Sequence, residues 1–285
     1  MAKVLSVPLP PGCPSAVVYV QPHKQISHGG WLNSGVTLPN QLTHEQCDFD
    51  VITASDTESF LFEYLALQRP VLVRNATNSH EMGTLLQTWQ RNRFEQVYGS
   101  LTFNEVEVPF AESFRYGTNK TSIKAFMAKM KQLYQDHQSW SADPETLPHP
   151  TYIFETIPLD SPLLRNFKLP SVLNPNMTHI SVTKMQFYLG PALSGAPLHF
   201  HRSAWNVLIF GQKRWFLIPP RHAIYSRQHV WNWWKGRSHQ KRLECVQHPG
   251  DLVFVPDMWG HAVINLRESI GIASEFVYGG SEFSI

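Results

Sequence analysis

The sequence predicts a mainly β fold, a sandwich or barrel with helices at its flank. Three observations point there. From Thr151 onward the chain breaks into short β-rich runs punctuated by Gly and Pro, the pattern of many-stranded all-β domains. Helical periodicity is confined to the part before it. Of the 285 residues 42% are apolar, enough for a sizeable core and too many for a disordered chain.

Residues 1–50 are rich in Pro, Gly, Ser and polar side chains and read as an irregular arm. A domain over 51–285 follows, with a helical part at about 51–150 and a barrel at about 151–280. Ser55-Asp56-Thr57-Glu58 has the form of a capping box. Phe60, Leu61, Tyr64 and Leu65 then recur at helical spacing. Pro70 ends that helix, and Val71-Leu72-Val73 reads as a strand. A second helix fits Leu85 to Tyr98, closed by Gly99. A third fits Ser122 to Gln135, with Ile123, Phe126, Met127, Met130 and Leu133 on a core-facing stripe. The strands are Thr151–Glu155, His179–Leu189, Ala204–Phe210, Lys213–Ile218, Asp251–Val255 and Ala262–Leu266. Gly211-Gln212 suits a type II′ hairpin turn between two of them. Residues 221–242 interrupt the strand pattern as an insertion.

A formal net charge of only +2 and the absence of a long basic run give no sign of a dedicated nucleic-acid binder. No apolar stretch reaches membrane-spanning length. Val4 to Val20 is loosely apolar but broken by Pro8, Pro10, Pro11 and Pro14, a poor match to a signal peptide. Cys13, Cys47 and Cys245 fit no zinc spacing, and the plain reading is buried or idle thiols. A Cys47–Cys245 bridge would need an oxidising compartment. Asn75, Asn119 and Asn176 each begin an N-x-T sequon, which is compatible with secretion without arguing for it.

His199 and His201 are two apart, so on a strand both rings would share one face while Phe200 packs on the other. Among 14 histidines one such pair is unremarkable. His261 changes its weight, because it follows the strand Asp251–Val255 and a rolled barrel can bring it beside the pair. Three protein ligands with open positions is the pattern of a catalytic metal. Lys213 lies among Phe210, Trp215, Phe216 and Leu217, where a buried ammonium needs an anion. Trp231, Trp233 and Trp234 stand among Lys235, Arg237, Lys241 and Arg242. They read either as a stacking lip for substrate or nucleic acid or as indoles packed on the barrel with solvated charges. Asp257 is either an acceptor orienting His261 or a turn cap.

Pro197-Leu198-His199-Phe200-His201, then Gly211-x-Lys213-Arg214-Trp215-Phe216-Leu217-x-Pro219-Pro220, then Pro249-Gly250-Asp251-x-Val253-Phe254-x-Pro256-x-x-Trp259-x-His261-Ala262-x-x-Asn265-Leu266 together resemble the JmjC (cupin-like) family. Arg69-Pro70-Val71-Leu72-Val73-Arg74 resembles the opening strand of such domains. The resemblance implies a double-stranded β-helix, a jelly-roll or cupin barrel of JmjC type. It implies Fe(II) and 2-oxoglutarate as cofactors and hydroxylation of a protein or nucleic-acid substrate, with a protein as substrate or partner here. By motif position, His199 and His261 match metal ligands and Lys213 matches the residue that pairs with the distal carboxylate of 2-oxoglutarate. Asn206 can add an amide, whereas Ala196 lacks a hydroxyl that some members use.

His201 stands where most active members carry Asp or Glu. A third imidazole adds no negative charge, although it still binds divalent metals. A silent JmjC module working through protein–protein contact is therefore the alternative to an oxygenase. A small-molecule dioxygenase on a three-histidine metal is a third reading, which Lys213 disfavours. The resemblance points toward the endoplasmic reticulum lumen, and the poor signal sequence toward cytoplasm or nucleus.

Overall fold

The computed structural model describes residues 28–34, 38–77, 82–109, 119–136, 149–173, 180–236 and 242–278. A short helix α1 (Asn40–Thr43) precedes β1 (Asp50–Thr53), α2 (Thr57–Ser59), a π-helical turn at Phe60–Leu65 and β2 (Val71–Arg74). Then come α3 (Gly83–Thr88), α4 (Arg91–Tyr98), β3 (Thr102–Val106), β4 (Asn119–Ser122), α5 (Ile123–Asp136) and β5 (Tyr152–Ile157). The barrel strands are β6 (Ile180–Gly190), β7 (Gly195–His199), β8 (Ala204–Phe210), β9 (Lys213–Ile218), β10 (Leu243–Gln247), β11 (Leu252–Val255), β12 (Gly260–Asn265) and β13 (Ser269–Tyr278), with α6 (Val230–Gly236) between β9 and β10.

The strands form two sheets, ordered β1-β2-β11-β8-β13-β6-β5-β3-β4 and β10-β9-β12-β7. From β6 to β13 the chain changes sheet at every connection except β9 to β10, which are antiparallel neighbours. This alternation is the double-stranded β-helix, and it closes one layer of side chains between the sheets.

Alternation along each strand decides what enters that layer. On β8, Trp205, Val207 and Ile209 pack outward in the main core with Trp89, Phe94 and Phe126. On β9 and β12, Phe216, Ile218, Ala262 and Ile264 face outward against Val230, Trp231 and Trp233. Asn206, Lys213, Trp215, His261 and Val263 therefore face the interior, where all five line one cleft.

Several expectations change. Gly211-Gln212 does not join a hairpin: β8 and β9 lie in different sheets, and the turn is a corner between them. Gly211 has φ +109°, and a Cβ there would stand 2.3 Å from the Glu268 carbonyl oxygen, so the corner needs glycine. The helix expected over 85–98 is broken into α3 and α4 at Trp89-Gln90. The Trp89 carbonyl accepts from the Trp31 indole instead, and the Arg91 amide donates to the Gly29 carbonyl. No capping box forms, because Asp56 turns back to accept from the Thr53 amide and hydroxyl. Within the N-terminal fifty residues, Trp31 and Leu42 are buried. Cys13, Asn176, Arg237 and Lys241 lie outside the described residues.

Cys47 and Cys245 form a disulfide across 198 residues of sequence, contrary to the reading of idle thiols. The pairing arises because Asp48 and Glu244 exchange hydrogen bonds, laying the segment before β1 against β10. Chain entropy over so long a loop amounts to about 5 kcal/mol. Cys47→Ala together with Cys245→Ala is expected to melt about 10 °C lower than the intact chain, and added reductant to bring the intact chain to the same melting temperature.

Candidate metal centre

His199 ends β7 and sits directly across from His261 at the start of β12. This cross-strand pair puts the two rings 4.0 Å apart between centroids. His201 lies beyond the end of β7, so it does not reach the site by strand alternation. Its carbonyl accepts from the Met258 amide at 2.9 Å, in the left-handed turn that precedes His261. That bond brings the His201 ring to 5.4 Å from His199 and 4.6 Å from His261. One ligand atom from each of the three rings lies within 4.8 Å of the other two.

The tautomers follow from the hydrogen bonds. Nδ1 of His199 faces the Pro197 carbonyl at 2.7 Å, Nδ1 of His201 the Arg202 carbonyl at 2.7 Å, and Nδ1 of His261 the Trp259 carbonyl at 3.0 Å. A carbonyl only accepts, so each Nδ1 carries the proton and each Nε2 the lone pair. Backbone acceptors of this kind orient metal-binding histidines. Burial first, and then the His201 charge, lower the pKa of His199 to about 3. Burial likewise holds His261 well below the ordinary histidine value and lowers His201. All three rings are therefore neutral near pH 7, the form that binds a cation. Asp257 does not orient His261; it pairs with Arg202 at 3.5 Å instead.

The segment carrying the histidines is clamped from the insertion. The Ser226 amide donates to the Leu198 carbonyl at 2.7 Å, and the Tyr225 hydroxyl donates to the Phe200 carbonyl at 2.6 Å. The Tyr225 ring packs on Phe200, 4.6 Å between centroids. Sequence reasoning missed Tyr225 because nothing in its local pattern marks it. Tyr225→Phe keeps the packing and removes the hydroxyl. It is expected to weaken Co(II) binding about tenfold at an unchanged melting temperature, which a metal titration beside a thermal melt will show.

Lys213 lies deeper in the same cleft, 1% exposed. Its Nζ donates to the Tyr152 hydroxyl at 3.0 Å and stands 3.4 Å from the centroid of the Tyr188 ring. Among the described residues it has no ion-pair partner, and burial drives its pKa well below the usual lysine value. The Asn206 Oδ1 accepts from the Tyr188 hydroxyl at 2.9 Å, which leaves the amide nitrogen as its donor toward a ligand. Ala196, Trp215, Val255 and Val263 wall the same cleft. Tyr152, Tyr188 and Gln186 join this site from β5 and β6 without any local motif to announce them.

Two tryptophans of the insertion, Trp231 and Trp233, are core, and Trp234 packs partly buried against them. Trp231 and Trp233 are 2% and 1% exposed, and the Arg242 guanidinium lies over Phe216 and Trp233. His248 pairs with Glu45, and His229 stacks on His149. No helix among the described residues is long and apolar enough to cross a membrane.

A family profile described as "Cupin-like domain" matches residues 57–279. JmjC domain-containing protein 8 of Rattus norvegicus is 26% identical over 257 residues, covering 86% of this chain and 88% of that protein. Lysine-specific demethylase JMJ21 of Arabidopsis thaliana is 27% identical over 77% of this chain and 24% of its own length. The bifunctional arginine demethylase and lysyl-hydroxylase psr-1 of Caenorhabditis briggsae is 26% identical over 73% of this chain and 55% of its own length. Strand topology and sequence agree, and the chain belongs to the Cupin-like domain family, among proteins of JmjC type.

Proposed function

We propose that this chain is a metal- and 2-oxoglutarate-dependent oxygenase that hydroxylates a protein side chain. His199, His201 and His261 would hold Fe(II), and Lys213 with Asn206 would hold 2-oxoglutarate. The observation that carries the reading is Lys213, an ammonium buried in the histidine-lined cleft with no anion among the described residues. A buried cation without a counter-ion costs stability, and a carboxylate reaching past the metal ligands would satisfy it.

The residues present fit both groups. Three neutral imidazoles suit Fe(II) as well as Zn, Cu and Ni, and the orphaned ammonium suits a diacid. Fe(II) with 2-oxoglutarate, when bound, supplies the oxidising power to insert one atom of dioxygen into a C–H bond as the keto acid loses CO2. The chain's own part is to bind, orient and exclude water. Tyr225 and the backbone carbonyls fix the rings, Tyr152 and Tyr188 hold Lys213, and Trp215, Val255 and Val263 form apolar walls. Relatives whose names specify lysyl-hydroxylase and demethylase activity support a protein substrate.

His201 favours a second reading, a silent JmjC module that works by protein–protein contact, since it stands where the family pattern has an acid. Conversion of 2-oxoglutarate to succinate by the full chain, with Fe(II) and oxygen, separates the two. Iron-dependent succinate formation supports the oxygenase. Tight 2-oxoglutarate binding with no turnover supports the silent module. We also propose an oxidising compartment for the chain, such as the endoplasmic reticulum lumen, a reading that the Cys47–Cys245 disulfide supports.

A further inference from the structure

β13 is the central strand of the larger sheet, between β8 and β6. Ile270, Ile272 and Phe276 point outward into the main core, and Ala273 lines the cleft. Glu275 shares the inward face of Ala273. It stands opposite Ala204 of β8, which also lines the cleft. Its neighbour on the other side is Lys184 of β6, two residues from the cleft-lining Gln186. Glu275 thus closes a row at the end of the cleft where His201 lies. Its side chain is only 8% exposed, against 51% for Lys184, whose Nζ is 3.4 Å from both carboxylate oxygens.

We propose that Glu275 supplies, from beside the metal, the negative charge that the three-histidine set lacks. This rests on the metal-binding reading above. Glu275 is not one of the close-packed ligand atoms; it is a positioning residue that acts through space on the cation held by His199, His201 and His261. Lys184 holds the carboxylate when no metal is present and opposes the cation when one is. Opposite effects are expected from the two members of the pair, since charges at the end of a buried cleft are poorly screened.

The test is Co(II) titration of the full chain, by calorimetry and visible absorption. Glu275→Gln is expected to weaken Co(II) about tenfold, and Lys184→Ala to tighten it severalfold. In a His201→Asp background, where an acid already touches the metal, Glu275→Gln is expected to cost less than twofold. The proposal is overturned if Glu275→Gln binds Co(II) as tightly as the parent, or if its loss is equal in both backgrounds. It is also overturned if Lys184→Ala weakens Co(II), which marks the pair as merely structural. Should Glu275→Gln fail to fold, the sign of the Lys184→Ala effect decides alone. A parent chain that binds no Co(II) removes the metal-binding reading and this inference together, whereas a parent that binds with unchanged variants removes only this inference.

Discussion

Lys213→Met is expected to melt higher than the parent and to lose 2-oxoglutarate. Both effects have one cause. The ammonium is 1% exposed, faces the Tyr188 ring and has the Tyr152 hydroxyl as its hydrogen-bond partner. Burial disfavours the ammonium, and an apolar chain of similar length there removes the cost of burying an uncompensated polar group, about 1–3 kcal/mol. That corresponds to about 2–4 °C per kcal/mol in a chain of this size. Removing the cation that pairs with a buried carboxylate costs about 2–5 kcal/mol of binding, or about 30-fold to several thousand-fold in affinity. Metal binding should change little, because the three histidines are held by other contacts. The same burial that depresses the Lys213 pKa makes 2-oxoglutarate binding take up a proton, so affinity falls as pH rises. Calorimetry in buffers of different ionisation heat measures that uptake. A Lys213→Met variant that melts lower and binds 2-oxoglutarate normally would show the lysine to be structural.

His261→Ala is expected to lower divalent-metal affinity by about 100-fold or more, beyond the loss seen for residues that merely orient a ligand. The pH dependence in the parent has a definite sign. Histidines with ordinary values lose metal to protons as pH falls through about 6.5. Here burial lowers all three, His199 to about 3. Affinity should therefore stay level from pH 8 to below 6.5 and fall only in more acid solution. Without metal, the depressed values mean that the unfolded chain binds protons the folded chain refuses. The stability these rings contribute is fully present above pH 6.5 and is lost as pH drops toward 3. Titrations with Co(II) across this range check the first statement, and denaturant unfolding of the metal-free chain checks the second. An affinity that declines tenfold per pH unit from pH 7 would contradict the burial described here.

The parts of this protein legible in its sequence are those where one strand decides its own geometry. Ala204–Phe210 and Lys213–Ile218 were readable to the residue, because branched and aromatic side chains fill both faces of each. The placement of Lys213 as a buried cation follows from its apolar neighbours alone. What depends on partners far along the chain was not readable. The Gly211 corner has a hairpin's local chemistry, yet the sheet it turns into is chosen by β12 and β13. Trp89 breaks a helix because Trp31 takes its carbonyl. β13 is hidden by Gly271, Ser274 and Glu275, which are poor strand formers kept extended by neighbours on both sides. The triad itself was found by spacing and family pattern, but the reason offered for His201 was incomplete, since the Met258 turn and not strand alternation brings it in.

One cleft is expected to bind a metal at three histidines and a diacid at Lys213 together. A crystal structure of the chain grown with Mn(II) and 2-oxoglutarate, with anomalous scattering to locate the metal, tests it most directly. The expected result is one anomalous peak among His199, His201 and His261 and a carboxylate of 2-oxoglutarate on the Lys213 ammonium. A peak elsewhere, or a diacid that leaves Lys213 unpaired, would contradict it.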